Sequence, residues 1–467
     1  MKSKVKVIYA GVSLELYRRE NPDWCAEYTQ SFARWREKLE EIAEVKASGT
    51  AYTATELREI LDRVPADEVD AVVLSPLSYT LSRTTWEALR ECNLPLCLWS
   101  TQTMRQIAED FLPEDLLWNH TVQGTQDITN VLFRWRRPFR IVTGHYADPG
   151  KLRLLEEELE VCRALRRSGN IRCASIGGKF DGMDDFLFDP ALVKEKFGWT
   201  FDAVPAEEYL HCWHEADEEE VQELLRRDFA ECEISSDLEP ARHALSVRGY
   251  LALRRLRQNR GFDALTFNFQ SFADLSPRAA IPFYGINRLM AEGCGYAGEG
   301  DALRAALMAE MRLLAEPVNF TEIYTIDFER QRMLMTHMQE CNPACARKDR
   351  RVRLRSMPFF STDPESYSGM YFTVEPGPVT LATLTEDGVG GFRYIVFTGE
   401  VEDTPPLKNF NRAHWLLRVR DAADILDSYS RAGGPHHLTA LPGDCRRRIR
   451  ALAQMRNIEC INLGGLE

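Results

Sequence analysis

The sequence predicts an α/β protein: two doubly wound, Rossmann- or flavodoxin-like domains followed by a mostly antiparallel β C-terminal domain. Three observations predict it. Short continuous apolar runs separated by helical stretches fill the first two thirds of the chain, the pattern of parallel strands buried on both faces. From about residue 318 the pattern changes to alternating or apolar runs broken by Gly and Pro, with few helices between them. A chain of 467 residues is also too long for one hydrophobic core. The expected divisions are an N-terminal α/β domain over 1–168, a central α/β domain over 169–317 and a β domain over 318–467.

VKVIYAGV (5–12) is an apolar, β-rich run, followed by the long amphipathic stretch WCAEYTQSFARWREKLEEIAEV (24–45), a helix. ELREILDRV (56–64) predicts a helix, VDAVVLSPL (69–77) a buried strand, TTWEALREC (84–92) a helix and LPLCLWS (94–100) a strand. A second set follows: RIVTGHY (140–146) as strand, 151–167 as helix, RCASIGG (172–178) as strand, 218–231 and 239–258 as helices, and FDALTFNFQ (262–270) as strand. The helix over 302–316 starts directly after GYAGEGD (295–301), which places Glu299 and Asp301 at a strand-to-helix turn. Beyond 318, Glu322 and His337 are expected on adjacent strands of a hairpin turning near Arg330. Sites in parallel sheets lie beyond the strand C-termini, so Tyr17 and the 100–105 loop are candidate positions.

Composition narrows the function classes. A net charge of −13 argues against nucleic acid or an anionic membrane surface as partner, since both are polyanions. The basic runs KDRRVRLR (348–355) and RRRIR (446–450) therefore read as solvated faces or subunit contacts. No stretch reaches membrane-spanning length, and MKSKVKVIYAGV enters a strand without a signal-like apolar region. Twelve cysteines, dispersed and without a CxxC pair, predict free thiols and a cytoplasmic location.

Four segments carry chemistry: GYAGEGD (295–301), FTEIYTIDF (320–328), MTHMQE (335–340) and GGPHH (433–437). Glu299, Glu322, His337 and His437 offer two carboxylates and two imidazoles, an oxygen and nitrogen donor set without thiolate. That set suits Mn²⁺, or Mg²⁺ or Co²⁺, better than a structural zinc. The spacings of 23, 15 and 100 residues place no two ligands on one helix, so folding must bring them together. Three glycines around Glu299 suit close backbone approach rather than a solvated helix face. Two decoys are set aside. His211 and His214 lie at an expected helix start beside a solvated acidic run, and Cys341 and Cys345 have no second pair. His145 and His414, in strand-end and helix contexts, read as structural.

These four segments, together with RIVTGHYADP (140–149), FGWTFDAV (197–204), FADL (272–275) and RAGGPHHLTAL (431–441), resemble the L-arabinose isomerases in the right order, with L-fucose isomerases as more distant relatives. The resemblance runs from about residue 5 to the end. It implies a metal-dependent aldose–ketose isomerase that moves a proton between C1 and C2 of an open-chain sugar through a cis-enediol(ate). It further implies Glu299 as base and Glu322 as acid, both touching the metal, with His337 and His437 as ligands. Asp301 and His436 become substrate or supporting contacts, and the assembly a homo-oligomer, trimer or hexamer, with the active site completed between subunits.

The sugar-reading positions depart from the family. Where arabinose isomerases carry GSQHLYG, with its Gln on the sugar, GVSLELY (11–17) has Leu14, followed by Tyr17. The family's NQTAHG becomes NHTVQG (119–124), with His120 and Gln123 exchanged in type. Phe180 or a neighbour replaces a substrate-facing Met, Phe272 matches a pocket aromatic, and the chain is about 20 residues shorter after GGPHH. The resemblance thus implies the reaction and leaves the aldose open. An epimerase or lyase using the same enediolate chemistry and a non-catalytic sugar-binding protein are the alternatives. Retention of both Glu299 and Glu322 disfavours the latter.

Overall fold

The structure, a computed structural model, describes residues 3–272, 280–358 and 366–465; residues 273–275 of the FADL segment lie outside them. The chain divides into two compact units, one running to Arg167 with Arg450–Asn457 added, the other spanning Ser168–Ile449 and continuing from Ile458.

The first unit is built on β1 (Val5–Val12), β2 (Ala43–Ala51), β3 (Ala71–Pro76), β4 (Leu96–Ser100) and β5 (Arg140–Thr143), all parallel in the order β2-β1-β3-β4-β5. Period-two alternation sends Val5, Val7 and Tyr9 into one core, with Phe32, Trp35 and Trp99. Ile8, Ala10 and Val12 enter a second core on the opposite face, with Leu57, Leu74 and Ile128. Two buried faces explain the unbroken apolar runs and define a doubly wound sheet.

The second unit opens with β6 (Arg172–Ile176), β7 (Thr200–Val204), β8 (Glu233–Ile234), β9 (Ala264–Phe267) and β10 (Gly295–Tyr296). Of these, β10-β9-β6-β7 form a parallel sheet. There follow β11 (Asn319–Asp327), β12 (Arg332–Thr336), β13 (Arg353–Pro358), β14 (Ser366–Tyr371), β15 (Gly377–Glu386), β16 (Phe392–Val401), β17 (His414–Arg418), β18 (Leu438–Pro442) and β19 (Glu459–Asn462). Antiparallel pairing runs β15-β18-β11-β12-β17-β16, and β15 pairs with β16, so these six strands close on themselves; β19 adds to β16 in parallel. Closure removes the free edges that an open sheet would expose. A small sheet, β14-β13-β8, stands apart.

Several elements differ from the sequence reading. The helix expected over 24–45 ends at Ile42 and gives way to β2, whose AEVKASGTA offers few β-branched or large apolar side chains as a strand signal. His211 and His214 fall in the last turn of a helix, Ala206–His214, rather than at a helix start. His414 opens β17 instead of sitting in a helix. The C-terminal region also holds two helices, Ala422–Arg431 and Arg446–Arg456, among its strands. All twelve cysteines are free. Among the described residues, no helix is long and apolar enough to cross a membrane.

Candidate active site

The segment GYAGEGD runs from β10 into the helix Ala302–Arg312. Glu299 takes a left-handed backbone, φ 62°, that costs a non-glycine residue about 1–3 kcal/mol and is held by its surroundings. Its carbonyl accepts from Phe180 N at 2.9 Å. The amide of Gly300 donates to Thr266 Oγ1 at 3.1 Å, and Thr266 Oγ1 donates to the Ala297 carbonyl at 2.6 Å. The flanking glycines are required by space. A Cβ on Gly298 would lie 2.8 Å from His337 Cε1, and one on Gly300 would lie 2.3 Å from the Gly178 carbonyl oxygen. Asp301 then caps the helix, accepting from Arg304 N at 3.2 Å.

The closed sheet brings the other groups. Glu322 on β11 faces Thr336 on β12, and His337 follows immediately. His436 and His437 precede β18, which pairs with the start of β11. One donor atom from each of Glu299, Glu322, His337 and His437 lies within 4.8 Å of all the others. His437 Nε2 is 3.6 Å from both Glu299 Oε2 and Glu322 Oε1, and His337 Nε2 is 3.8 Å from Glu322 Oε1.

Both imidazoles are anchored through their other nitrogen. His337 Nδ1 donates to Glu340 Oε2 at 2.6 Å, and His437 Nδ1 donates to Asp301 Oδ2 at 2.9 Å. A carboxylate can only accept, so a hydrogen sits on each Nδ1 and Nε2 is the nitrogen turned into the cluster. These two Nε2 atoms are buried with no hydrogen-bond partner. Buried polar atoms in folded proteins are almost always satisfied. Two orphaned nitrogens aimed at two carboxylates are what one oxygen- and nitrogen-liganded divalent cation satisfies, at bonds of about 2.0–2.6 Å. The donor set therefore fits such an ion. Phe186 stacks on His437 with ring centres 4.8 Å apart, and Phe320 meets His437 and His337 edge-on at 4.8 and 4.7 Å, which fixes the rings.

Electrostatics follow from the same contacts. Burial pushes the Glu299 carboxyl up, but the His436 hydrogen bond and the neighbouring His437 and His337 imidazoles outweigh it and hold the group well below the usual carboxylate range. Burial pushes the His337 imidazole down, yet the buried Glu340 carboxylate beside it lifts it to about 9. Glu340 itself is disfavoured as an anion by burial and held ionised by His337; its other oxygen accepts from Tyr296 OH at 2.9 Å.

His436 lies beside this cluster. Its Nδ1 donates to Asp185 Oδ2 at 2.6 Å, and its Nε2 is 3.4 Å from both Glu299 Oε2 and Glu322 Oε1. Glu340 and Asp185 escaped the sequence reading. Glu340 closes the MTHMQE segment three residues after His337, whereas Asp185 is one of three acids in DGMDD with nothing local to single it out.

The remaining candidate residues are placed as follows. Phe180 is half-buried, with its amide on the Glu299 carbonyl and its ring 5.3 Å from Phe269. Phe272 is fully buried, edge-on to Tyr209 and Phe267. In the first unit, Tyr17 OH lies 3.5 Å from His120 Nδ1, and the His120 ring stacks on Tyr79. Burial depresses the His120 imidazole. His120 precedes the helix Thr121–Arg134, and Gln123 on its first turn is exposed.

A second array has the distances of a nucleophile triad: Ser368 Oγ to His243 Nδ1 at 2.9 Å and His243 Nε2 to Asp228 Oδ2 at 3.1 Å. All three residues are 0% exposed, and Tyr284 and Arg288 also bind Asp228. It is a satisfied buried network joining helices to β14, with no access for a substrate.

Comparison with known proteins agrees with this geometry. Residues 189–317 match the L-arabinose isomerase central domain and residues 317–459 the L-arabinose isomerase C-terminal domain. Among similar curated proteins, the L-arabinose isomerase of Pediococcus pentosaceus is 24% identical over 432 residues, 90% of each chain. That of Geobacillus kaustophilus is 27% identical over 428 residues, 88% of this chain and 84% of the relative, and that of Geobacillus stearothermophilus is 26% identical over the same length.

Proposed function

We propose, from the premise that this chain belongs to the L-arabinose isomerase family as a divergent member and is an aldose–ketose isomerase, that the Glu299 cluster is its metal-dependent catalytic centre. The observation that carries the reading is the pair of buried, orphaned Nε2 atoms of His337 and His437 converging on Glu299 and Glu322. A divalent ion held there, Mn²⁺ first and Mg²⁺ or Co²⁺ as substitutes, supplies Lewis-acid polarisation of the sugar's carbonyl and neighbouring hydroxyl. Glu299, kept ionised by its histidine neighbours, removes the C2 proton and returns it to C1. Glu322, which reaches the same histidines from the facing strand, acts as the acid at the sugar oxygens. Asp301 and Glu340 fix the tautomers of His437 and His337, and Phe186 and Phe320 exclude water around them.

The aldose is proposed to differ from L-arabinose. Leu14 cannot offer the hydrogen bond of a glutamine, and each such missing bond to a sugar hydroxyl costs about 1–3 kcal/mol. A homo-oligomer, trimer or hexamer, with His120 or Gln123 serving a neighbouring subunit's site is proposed with it. Support comes from exposed apolar side chains of the first unit, including Val122, Phe133 and Trp135. Free cysteines support a cytoplasmic location. The three-part division at 168/169 and 317/318 is kept as a proposal for the domain boundaries.

The test incubates the protein with Mn²⁺, Mg²⁺ or Co²⁺ and a panel of pentoses, hexoses and substituted hexoses, following ketose by NMR. At least one aldose should be converted, conversion should stop on chelation and return on adding Mn²⁺, and L-arabinose should not be the best substrate. Absence of any ketose would refute the isomerase reading; epimer or cleavage products would favour the epimerase or lyase alternative.

A further inference from the structure

Arg304 adjoins this site in a position that local rules oppose. It is the third residue of the helix Ala302–Arg312, in the first turn, where the helix dipole disfavours a cation. Its side chain is also only 3% exposed, and an arginine is almost never buried unless it is paired. The helix cap does not ask for it. Asp301 Oδ1 accepts from the backbone amide of residue 304, which nearly any residue would supply. Sequences break local rules chiefly at functional positions, so the guanidinium answers another demand.

Its contacts show what that demand is. Nη1 donates to Asp301 Oδ1 at 3.3 Å, and Nη2 donates to the carbonyl oxygen of Asp185, 119 residues away in sequence, at 3.0 Å. Nε is buried with no hydrogen-bond partner. Each end of the guanidinium stands behind a histidine. Asp301 Oδ2 holds Nδ1 of the fully buried His437 at 2.9 Å. Asp185 Oδ2 accepts from Nδ1 and the backbone amide of His436, at 2.6 and 3.3 Å, and the His436 side chain is 38% exposed. Phe186, next to Asp185, lies against both rings, 5.0 and 4.8 Å between centres. Asp184–Phe186 is a single 3₁₀ turn, too short to keep its own place without outside support.

We propose that Arg304 is a positioning residue that ties the cation-holding side of the site to its open, sugar-facing side. The proposal rests on the isomerase reading of the Glu299 cluster. One end of the guanidinium fixes Asp301 and, through it, the direction of His437 Nε2. The other end fixes the backbone at Asp185 and, through it, His436 and Phe186. Planarity makes this possible: Nη1 and Nη2 belong to one rigid fork, which holds acceptors from two distant segments at a set separation. A lysine offers a single mobile ammonium, and the charged carboxylate of Asp301 is a stronger acceptor for it than the neutral Asp185 carbonyl. Substitution can therefore separate the two ends.

The test compares the parent protein with R304M, which has no polar atom to offer either acceptor, and R304K, which keeps the charge. Circular dichroism and thermal melting report the fold. Calorimetry measures Mn²⁺ affinity, and then the binding of an alditol, the reduced form of the best aldose of the panel, to Mn²⁺-saturated protein. R304M should weaken Mn²⁺ binding about tenfold, the low end for a partner behind a ligating histidine, because Asp301 keeps its bond to His437 but loses its support. It should also weaken alditol binding at least about fivefold, the scale of one misplaced hydrogen bond. R304K should keep Mn²⁺ affinity within about threefold of the parent and still weaken alditol binding as R304M does. A brace that served the fold alone would lower the melting temperature of both variants and leave both affinities parental. That result would overturn the proposal and leave the isomerase reading intact, as would recovery of both affinities, or of neither, in R304K. If R304M does not fold, R304K decides alone. A parent protein that neither binds Mn²⁺ nor converts an aldose would overturn the isomerase reading and the bridge with it.

Discussion

The buried wall of the site and its rim use one design in two environments. On the wall, His337–Glu340 and His437–Asp301 are sealed under Phe320 and Phe186, so each imidazole turns a buried Nε2 towards the two carboxylates. On the rim, His436–Asp185 makes the same Nδ1 bond but leaves a third of its side chain open. A carboxylate-anchored imidazole is suited to hold a cation when it is sealed and to meet a substrate when it is open. Burial, rather than residue type, separates the two proposed roles. Each expectation below probes whether that separation holds.

The largest effect is expected where wall and rim meet. Glu299→Gln retains shape and removes the basic oxygen, so kcat should fall by 10² or more with the fold kept, as checked by steady-state kinetics and circular dichroism. Near-normal turnover in both Glu299→Gln and Glu322→Gln would refute the acid/base assignment. Next come the anchors of the wall. Asp301→Asn and Glu340→Gln should each weaken Mn²⁺ binding about 10–100-fold by calorimetry, the cost typical of losing a partner behind a ligating histidine. Equal losses in the rim variant Asp185→Asn would erase the distinction between wall and rim.

Smaller effects test the scaffold. Gly300→Ala puts a Cβ against the Gly178 carbonyl at a φ of 86°, and should destabilise by about 1–3 kcal/mol in denaturant unfolding, with Mn²⁺ affinity falling as Glu299 is displaced. The smallest is a pH effect in chelated protein. His337 and His436 are both lifted to about 9, against about 6.5 in an unfolded chain. A raised folded value means the folded state binds these protons more tightly. The stability they contribute is complete below about pH 6.5 and is lost as pH rises towards 9. The melting temperature of chelated protein should therefore fall between pH 7 and 9.5, and fall less when Mn²⁺ is bound, because coordination replaces the His337 proton.

Much of this was legible in the sequence, and the remainder was not for definite reasons. Unbroken apolar runs such as VKVIYAGV declared strands buried on both faces, and the change of pattern near 318 declared the antiparallel region. The edge strand β2 was hidden because AEVKASGTA is polar and small, so its pairing with β1 decides its state rather than its composition. Closure of the six-stranded sheet depends on the β15–β16 pairing at its seam, which no local pattern records. In the site, Glu299 stood out through its glycines, which the contacts with His337 and Gly178 explain. Asp185 lies 251 residues from His436, and only the fold connects them. Phe272, an aromatic legible by resemblance, packs fully buried against Tyr209 and Phe267, contacts that no local pattern records.

The most direct test of the central claim, that one divalent cation is held by the sealed histidines and their two facing carboxylates, is a Mn²⁺ titration by calorimetry of the parent protein, His337→Gln and His437→Gln. One ion per chain in the parent, and loss of that binding in both variants with folding preserved, is the expected result. A stoichiometry other than one per chain, or Mn²⁺ bound as tightly by the two variants as by the parent, would contradict it.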